Sequence, residues 1–500
     1  MQSSSLAYRA QILSDCDDVV RKIVHTLFHI RPVQKGMGSK RNGYTCMTSA
    51  LYSFVRETTF GALPAKVQHM AQRCLLDLTG TGASGISTPL ARIISNHAVR
   101  TFGTGADMRP ARILFDGRAA SPLGAALAGG MIIDSFDSHD GHVLTKGHAG
   151  AAVLPGLLAL SDAADMPVSG ADFLAMLVIG YEIAIRAGIA QHATAPDYHT
   201  SGAWNALGVA AIAARQGQLD ESQLRHALGT AEYHGPRSQM MRCIDFPTMV
   251  KDGSGWGAMV GLSAAYLAAD GFTGAPALVV ESDAVKDLWS DLGTRWRMLE
   301  MYFKPYPICR WAQPPVEASL NLRRAHNVDP AKIAKVVVET FHEAVRLDQH
   351  RPASTEEAQY SLPFPVAAAI VRGKLSPTDI SGAALTDGEI LSMSDRIELR
   401  EADDLNAKFP AERYARVEFQ MNDGTVLRSE STPARGDAER PLSDAEIVEK
   451  YHALADGTLG VAEAEALHHL IQKLPEMVDV RPLLDRLLNA PGTLGRVHVA

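Results

Sequence analysis

The sequence predicts a mainly α-helical protein in which a smaller α+β domain is inserted into a larger helical domain. Ala-, Gly- and Leu-rich helical stretches run to about residue 300, β-branched and alternating segments follow, and a helical pattern returns after about residue 435. Five hundred residues exceed what one hydrophobic core usually serves, which favours two domains. We therefore predict a helical domain over 47–300 and 436–500, an α+β lid domain over 301–435, and a poorly ordered N-terminal extension over 1–46.

The helices are predicted from the spacing of apolar residues. From Pro64 onward these residues recur at helical intervals, and the run ends in Gly80–Gly85. That hexapeptide, GTGASG, matches the dinucleotide-binding pattern GxGxxG, but it follows a helix, whereas a nucleotide site would follow a strand. We therefore predict a helix C-cap and a tight turn there. Further Ala- and Gly-rich stretches predict the closely packed helices of the main body: Leu123–Ile133, Ala149–Ala164, Phe173–Ala190, Gly202–Arg215 and Gly255–Ala269.

The α+β domain is predicted from two segments after residue 330. Ile333–Phe341 is rich in β-branched residues, and Ala415–Ser431 alternates apolar and polar residues around an Asn-Asp-Gly turn at 422–424. The second pattern predicts a β-hairpin. Ser443 and Glu446 then form a capping-box pattern, which predicts that the helical domain resumes there.

Composition argues against several functional classes. Hydrophobic residues make up 46% and charged residues 21% of the chain, and the net charge is -8 without a Lys/Arg run. A nucleic-acid or anionic-membrane surface is therefore not expected, and the expected ligand is a small molecule. Glu182 and Arg186 lie within the longest apolar helix, which argues against a membrane span. The five cysteines form no CxxC pair, and charged residues interrupt the first thirty positions, so we expect a cytoplasmic protein with reduced thiols.

The segment Ser135–Pro155 is the strongest indication of a functional site. It holds three histidines, two aspartates and one lysine between two apolar helical stretches. Burying such groups is costly unless partners or a ligand compensate, so their concentration here indicates a site. Two other interpretations stay open: an ordinary solvated loop, and a metal site in which His139, His142 and His148 converge, although their spacing fits no established ligand signature.

Five segments of the chain resemble the MmgE/PrpD family, which includes 2-methylcitrate dehydratases, cis-aconitate decarboxylases and iminodisuccinate epimerases. These segments are LLDLTGTGASG, FDSHDGHVLTKGHAGAAVLP, YHTSGAWNALGVAAIAA, FKPYPICRW and PLSDAEIVEKY. The resemblance extends from about Met47 to the C-terminus. It implies a large helical domain, an inserted α+β lid domain and a homodimer, and the first two agree with the patterns described above.

The resemblance also implies site residues. His148 matches the histidine that precedes the AVLP run, His199 matches a second active-site histidine, and Lys304 matches a lysine near the domain interface. The chemistry is suitable, because a polycarboxylate needs cationic or N–H donors. Moving a proton at a carbon beside a carboxylate is work for histidine near neutral pH.

Two departures from the family pattern leave the substrate open. Where relatives commonly read DFDDT, this chain reads SFDSH over residues 135–139, and the loop up to His148 is longer. Where relatives often place a substrate-binding lysine just before a helix, this chain has Trp256, with Lys251 upstream as a candidate substitute.

We predict a cofactor-independent lyase, either a dehydratase or a decarboxylase, that acts on a small di- or tricarboxylate such as 2-methylcitrate or cis-aconitate and needs no metal. His148 is the predicted general acid/base, with His139 and Asp137 as a relay or orienting pair. The predicted substrate-binding residues are His199, Lys304, Lys251, Arg310 and Tyr360. The alternatives are an epimerase of a dicarboxylate on the same scaffold and a non-catalytic dimeric carboxylate-binding homologue.

Overall fold

The computed structural model describes the backbone of residues 41–492 and the side chains from Ser49 to residue 492. The first described helix, Arg41–Glu57, begins before the predicted boundary at residue 47. The compact body described below starts at Met47. The predicted poor order of residues 1–46 lies outside the described residues, apart from the start of this helix.

Helices form most of the described chain. Several begin at a proline that follows a capping hydroxyl, as at Ser121 and Pro122, because proline suits the first turn and the hydroxyl accepts a free backbone N–H. The α-helices span Arg41–Glu57, Ala65–Gly85, Pro89–Thr101, Pro122–Asp134, Gly150–Asp162, Gly170–Thr194, Gly202–Gln216, Glu221–His234, Met241–Asp245, Ser254–Ala269, Leu278–Glu281, Lys286–Trp289, Gln313–Ala325, His342–Val345, Thr355–Gln359, Pro363–Arg372, Gly388–Ser394, Asp403–Asn406, Asp444–Leu459, Val461–Lys473 and Arg481–Leu488.

The longest helix, Gly170–Thr194, is part of the core. By length and apolar composition it would qualify as a membrane span, but its apolar stretch is completely buried inside the protein, as in a core helix. Its two buried charged residues compensate each other, because Arg186 Nε lies 3.3 Å from Glu182 Oε2. This burial supports the expectation that the helix packs within the fold.

The Gly80–Gly85 segment forms the end of a helix whose last residue is Gly85, so the predicted helix end is confirmed, whereas the tight turn predicted within 80–85 is wrong. The helix continues unbroken over Ala65–Gly85. A Cβ atom on Gly85 would lie 2.1 Å from the carbonyl oxygen of Ile132, so this glycine permits close contact with the next helix. Packing between elements distant in sequence therefore explains the glycine here, and a local pattern does not reveal that.

The region after residue 330 contains a small mixed sheet, and the predicted hairpin is confirmed. Its strands lie in the order Ile397–Glu401, Ile333–Thr340, Tyr414–Met421 and Val426–Arg428. The first two strands are parallel, and the other neighbours are antiparallel. Gly424 in the hairpin turn has φ +87°, a conformation that glycine adopts without strain. The remaining short strands are Thr432–Pro433, which pairs with Tyr414–Met421, and the ribbon of Ala111–Arg112 and Ala119–Ala120.

The buried apolar residues form two large clusters. The larger cluster draws on helical segments up to Phe303 and again from Leu442 onward, and the smaller cluster draws mainly on the chain between Tyr306 and Phe419. Where the helical part resumes, Ser443 and Glu446 form the predicted capping box. The domain boundaries at 300 and 435, and the role of the insertion as a lid, stay predictions.

A second two-stranded ribbon positions the histidine-bearing segment. Gly141–His142 pairs antiparallel with Met301–Tyr302, and Gly141 lies opposite Tyr302. Lys304 follows this strand closely in sequence. The pairing therefore brings a lysine from a distant part of the chain beside the histidines.

Candidate active site

The segment 135–155 forms a buried loop and helix start. It leaves the helix Pro122–Asp134 and enters the helix Gly150–Asp162. Asp137, His139 and His148 are 4%, 1% and 6% exposed, so the solvated-loop interpretation is wrong. Ionisable groups this deeply buried need hydrogen-bonding or charged partners.

His148 is held so that one of its ring nitrogens is free for proton transfer. Its Nδ1–H donates to the carbonyl oxygen of Asp140 at 2.5 Å, because a carbonyl oxygen can only accept. In the neutral ring Nε2 therefore carries the lone pair. This atom lies 3.5 Å from Asp252 Oδ2 and 3.9 Å from Asp137 Oδ1. The imidazole is thus oriented to accept or deliver a proton at Nε2.

His139 packs against His148, with 4.0 Å between the ring centroids. Its Nε2 lies 3.0 Å from Asp134 Oδ1, whereas its Nδ1 lies 4.0 Å from Asp137 Oδ1, which is too far for a hydrogen bond. The relay or orienting role of His139 and Asp137 beside His148 stays a prediction. The carboxylate that orients His139 is Asp134, the last residue of the preceding helix.

Two buried lysines bring positive charge to this loop. Lys304 Nζ forms an ion pair with Asp137 Oδ1, and both side chains are almost fully buried. Lys251 Nζ donates to Gln359 Oε1 at 2.7 Å and lies 5.0 Å from the centroid of the Tyr360 ring. Lys251 is itself buried. The structure therefore brings both predicted lysines into the site.

Gln359 connects the loop to the α+β region. Its Oε1 accepts from the backbone N–H of Asp137 at 2.8 Å, and its Nε2 donates to the carbonyl oxygen of Ser135 at 3.0 Å. The residue ends the short helix Thr355–Gln359 and is fully buried. One amide group thus fixes the backbone on both sides of Phe136.

The helical part holds the other side of the loop. Lys450 Nζ donates to the Ser138 carbonyl oxygen at 2.7 Å and to Asp77 Oδ1 at 2.5 Å. Tyr181 Oη donates to Asp140 Oδ2, also at 2.5 Å. Residues on both sides of His139 are therefore tied to rigid helices, as a preorganised catalytic group requires.

Burial and the lysines determine the charge of the site. Burial lowers the pKa of His139 to about 3, and Lys304 acts in the same direction. Burial, His139 and Lys304 together hold the pKa of His148 well below its ordinary value. Burial alone would raise the pKa of Asp137, but Lys304 and the two imidazoles hold this pKa below its usual range. At neutral pH both imidazoles are therefore neutral and Asp137 is ionised.

At neutral pH the carboxyl group of Asp252 is protonated, whereas the neighbouring imidazole of His148 is neutral. Burial, followed by the neighbouring carboxyl groups of Asp134 and Asp137, raises the pKa of Asp252 to about 8. Ser201 Oγ donates to its Oδ2 at 2.9 Å, while Oδ1 has no hydrogen-bond partner in the described part of the chain. Asp252 is therefore protonated at neutral pH, and its carboxyl group lies 3.5 Å from the lone pair on His148 Nε2.

The raised pKa of Asp252 predicts a loss of stability with rising pH. In the folded state Asp252 stays protonated up to about pH 8, whereas in the unfolded chain it loses its proton near about pH 3.9. Between these values the folded state binds the additional proton, so the free energy of unfolding falls as pH rises, by up to about 1.4 kcal/mol per pH unit. His139 and His148 have lowered pKa values, so their opposite effect ends near about pH 6.5.

The window from about pH 6.5 to about pH 8 therefore tests Asp252 without the imidazoles. Urea unfolding across this window is expected to show a weaker pH dependence for Asp252→Asn than for the unmodified protein. The raised pKa of Asp140, about 7, leaves a residual slope in both proteins. Asp165→Asn, at an exposed carboxylate, should keep the full slope. Equal slopes for Asp252→Asn and the unmodified protein would show that Asp252 is already ionised.

Three side chains of the buried cluster could serve as metal ligands, but they are not the three histidines of the metal interpretation. Ligand atoms of Asp137, His139 and His148 lie within 4.8 Å of one another. His142, which the metal interpretation included, instead lies 3.4 Å from Glu300. Lys304 already pairs with Asp137, so a metal cation would meet a buried ammonium group beside its ligand. This charge arrangement favours an anionic ligand.

Two of the predicted binding residues lie apart from the cluster. His199 packs near His192, with 6.2 Å between the ring centroids. Arg310 forms an ion pair with Asp437 and lies over the ring of Tyr302. In residues 49–492 no hydrogen bond or ion pair joins His199 or Arg310 to the cluster, and their role in substrate binding stays a prediction.

A cavity of about 190 Å³ lies beside the Gly141–His142 ribbon, lined by His142 and Tyr302 among others. Its wall carries three cationic side chains, Lys146, Arg310 and Arg413, against one carboxylate, Glu343. The guanidinium of Arg413 forms no ion pair in the described part of the chain, its Nε has no hydrogen-bond partner, and burial lowers its pKa. Tyr302 lines the cavity, and burial raises its pKa, with the charge of Asp137 acting in the same direction. The cationic wall therefore suits a small anion.

Sequence reasoning missed four residues of this region: Asp134, Asp252, Gln359 and Arg413. Asp134 directly precedes the SFDSH motif, and Asp252 directly follows Lys251. Their positions next to predicted site residues could therefore have indicated them. Gln359 and Arg413 come from the distant α+β region and carry no local motif. Only the folded chain brings them to the site.

Comparisons with known proteins agree with the resemblance. The MmgE/PrpD N-terminal domain model matches residues 49–292, and the MmgE/PrpD C-terminal domain model matches residues 306–476. A cis-aconitate decarboxylase-like protein of Aspergillus oryzae is 22% identical over 474 residues, which cover 88% of this chain and 96% of the relative. The cis-aconitate decarboxylase of Aspergillus terreus is 21% identical over 485 residues, covering 90% and 97%. That of Homo sapiens is 24% identical over 473 residues, covering 89% and 95%.

Proposed function

The chain belongs to the MmgE/PrpD family, and from that premise we propose that it is a lyase acting on a small di- or tricarboxylate, with decarboxylation of cis-aconitate as the leading reaction. Three relatives that match most of this chain carry the name cis-aconitate decarboxylase or cis-aconitate decarboxylase-like protein. The observation that carries the proposal is the buried imidazole of His148. Its Nε2 is free and lies beside Asp252 and the Lys304–Asp137 ion pair.

A decarboxylase must supply one proton to carbon. When the bond between carbon and the departing carboxylate breaks, CO₂ leaves and the electron pair stays on the substrate, where conjugation with another carboxylate stabilises it. In the proposed reaction Asp252, 3.5 Å away, passes its proton to the Nε2 lone pair of His148, and His148 delivers that proton to the carbon. Solvent then returns a proton to Asp252. A positioned acid of this kind typically contributes about 10²–10⁴-fold in rate.

The same groups would serve the alternative reactions. In a dehydration, His148 Nε2 takes a proton from the carbon beside a carboxylate. The protonated Asp252 then gives its proton to the departing hydroxyl group, which leaves as water. An epimerisation needs a second base that faces the opposite side of the carbon. His139 is the other imidazole of the cluster, 4.0 Å from His148 between ring centroids, and supplies that candidate.

The positive charges provide the proposed carboxylate sites. Lys251 is bound to a neutral amide, so a substrate carboxylate can replace Gln359 Oε1 and form a stronger, charge-assisted hydrogen bond. Lys304 is already compensated by Asp137, and it stabilises negative charge that develops near that pair. A second carboxylate would occupy the adjacent cavity beside Arg413 and Lys146.

Access to this buried cluster requires movement. His148 and Lys251 come from the helical part, whereas Lys304, Gln359 and Arg413 come from the 301–435 region. We propose that this region acts as a lid that closes on a bound polycarboxylate and excludes water, which strengthens the polar contacts inside. A homodimer, implied by the resemblance, and a cytoplasmic location, expected from the cysteines and the first thirty residues, are also proposals.

The proposal is tested by incubating purified protein with a panel of small polycarboxylates in D₂O and following products by NMR and CO₂ release. Release of CO₂ identifies a decarboxylase, and loss of water identifies a dehydratase. Deuterium incorporation without net loss identifies an epimerase and overturns the lyase proposal. Binding without turnover of any acid favours the non-catalytic homologue. A parallel His148→Gln preparation excludes a contaminating activity.

Arg413→Met is expected to raise KM for the identified substrate by about 10- to 100-fold, with a much smaller change in kcat. The reason is that the variant removes an unpaired guanidinium from the cavity wall without touching the proton-transfer groups. Arg416→Met is the matched control, because this arginine lies in the same strand region but pairs with Glu339 and Asp404. Equal KM values for Arg413→Met and the unmodified protein would remove the cavity from substrate binding.

A further inference from the structure

Two helices near the end of the chain carry a second cluster of metal-binding side chains. The helices Asp444–Leu459 and Val461–Lys473 meet at Gly460. Ligand atoms of His452 on the first helix and of Glu465 and His468 on the second lie within 4.8 Å of one another. The three side chains range from half-buried to exposed, so an ion from solvent can reach them.

The orientation of His452 is that of a metal ligand. Its Nδ1–H donates to Asp456 Oδ1 at 2.9 Å, one helical turn further along the chain. This hydrogen bond leaves the lone pair on Nε2, which lies 3.4 Å from Glu465 Oε2. Histidines that bind metal commonly donate their other ring nitrogen to a carboxylate in this way, which fixes the tautomer and the ring orientation.

His468 completes the cluster from the second helix. Its ring centroid lies 6.1 Å from that of His452. Gln472 Nε2 lies 3.0 Å from His468 Nε2. Rotating the Gln472 amide by about 180° exchanges its oxygen and nitrogen. The amide oxygen can then accept from His468 Nε2–H while His468 Nδ1 binds the ion.

We propose that His452, Glu465 and His468 form a binding site for a divalent transition-metal ion of the Zn²⁺ type, separate from the proposed active site. Two imidazoles and one carboxylate are ligands that Zn²⁺ prefers, and water can fill the fourth position of a tetrahedron. Mg²⁺ and Ca²⁺ prefer sets of oxygen ligands and are not expected to bind here.

The bound ion would stabilise the helix pair. It would join two helices that otherwise meet through packing, a glycine turn and the hydrogen bond from Tyr451 Oη to the Ala464 carbonyl oxygen. The first of them carries Lys450, which holds the carbonyl of Ser138 in the active-site loop. An ion that binds the folded state and not the unfolded chain raises the melting temperature in proportion to the logarithm of its concentration above Kd. The expected role is therefore structural rather than catalytic.

The test uses full-length, tag-free protein treated with EDTA and dialysed, with ZnCl₂ as the probe in calorimetry and thermal unfolding. We expect binding that raises Tm in the unmodified protein and that the double variant His452→Gln/His468→Gln loses. Asp456→Asn should weaken binding by about 10- to 100-fold, because it removes the carboxylate that orients His452. His469→Gln, at the neighbouring exposed histidine, should bind as the unmodified protein does.

Circular dichroism shows whether each variant is folded. The single variant Glu465→Gln changes one exposed ligand, so it tests Zn²⁺ binding at the site independently of the double variant. MgCl₂ should give no heat of binding. No Zn²⁺ binding by the unmodified protein, or undiminished binding by the double variant, overturns the proposal. If binding disappears instead in His148→Gln, the ion occupies the buried cluster and the proposal is equally overturned.

Discussion

Substitution of His148 by glutamine is expected to lower kcat by about 10²–10⁴-fold with little change in folding. Glutamine is uncharged, as His148 is in the folded protein, and its amide N–H can still donate to the Asp140 carbonyl that now accepts from Nδ1. It cannot carry a proton between Asp252 and a substrate carbon. The loss should therefore appear in kcat, while KM for a substrate held by Lys251 and the cavity changes little.

His142→Gln is the matched control for this variant. His142 belongs to the same loop and is equally buried, but its ring faces Glu300 and lies outside the cluster. Its substitution should lower kcat much less than that of His148. The measurement is kcat and Tm for both variants on the identified substrate. Comparable kcat for His148→Gln and the unmodified protein would remove His148 from the mechanism and leave His139 or Lys304 as the proton-transfer group.

The sequence predicts the chemistry of this site better than its contacts. His148 and Lys304 are found because residue type, position and family resemblance all indicate them, and Lys251 is found as the lysine upstream of the position where this chain departs from the family pattern. The pairing of His139 is not found, since Asp134 and Asp137 are equally plausible partners until the helix end fixes Asp134 at 3.0 Å. Gln359 lies outside every motif, because an amide that bridges two regions is recognised only from the atoms it joins.

The same contrast holds for the fold. The hairpin around Gly424 is predicted correctly because turn type and strand alternation are local properties. The tight turn within Gly80–Gly85 is predicted incorrectly because the glycine spacing has a non-local cause, namely the approach of the Ile132 backbone to Gly85. A glycine that permits helix contact and a glycine that forms a tight turn look alike in sequence.

Substitution of Lys304 by methionine is expected to destabilise the fold by about 3–5 kcal/mol, because it leaves the Asp137 carboxylate buried without its partner. Methionine keeps the length and apolar part of the side chain, so the loss reports on the charge. Without Lys304 the carboxyl pKa in the folded state rises above its value in the unfolded chain. The destabilisation should therefore shrink as pH falls towards the unfolded value, about 3.9. Urea unfolding at several pH values measures both effects.

The double variant Lys304→Met/Asp137→Asn should recover a large part of the lost stability, because it removes both charges and leaves no buried carboxylate unpaired. Lys335→Met is the surface control: its pair with Glu398 is partly exposed, so its loss should change stability little. Recovery in the double variant would assign the cost to the unpaired carboxylate and not to lost packing. If Lys304→Met alone unfolds no more readily than the unmodified protein, Asp137 is not held by this lysine, and the proposed preorganised charge at the site is wrong.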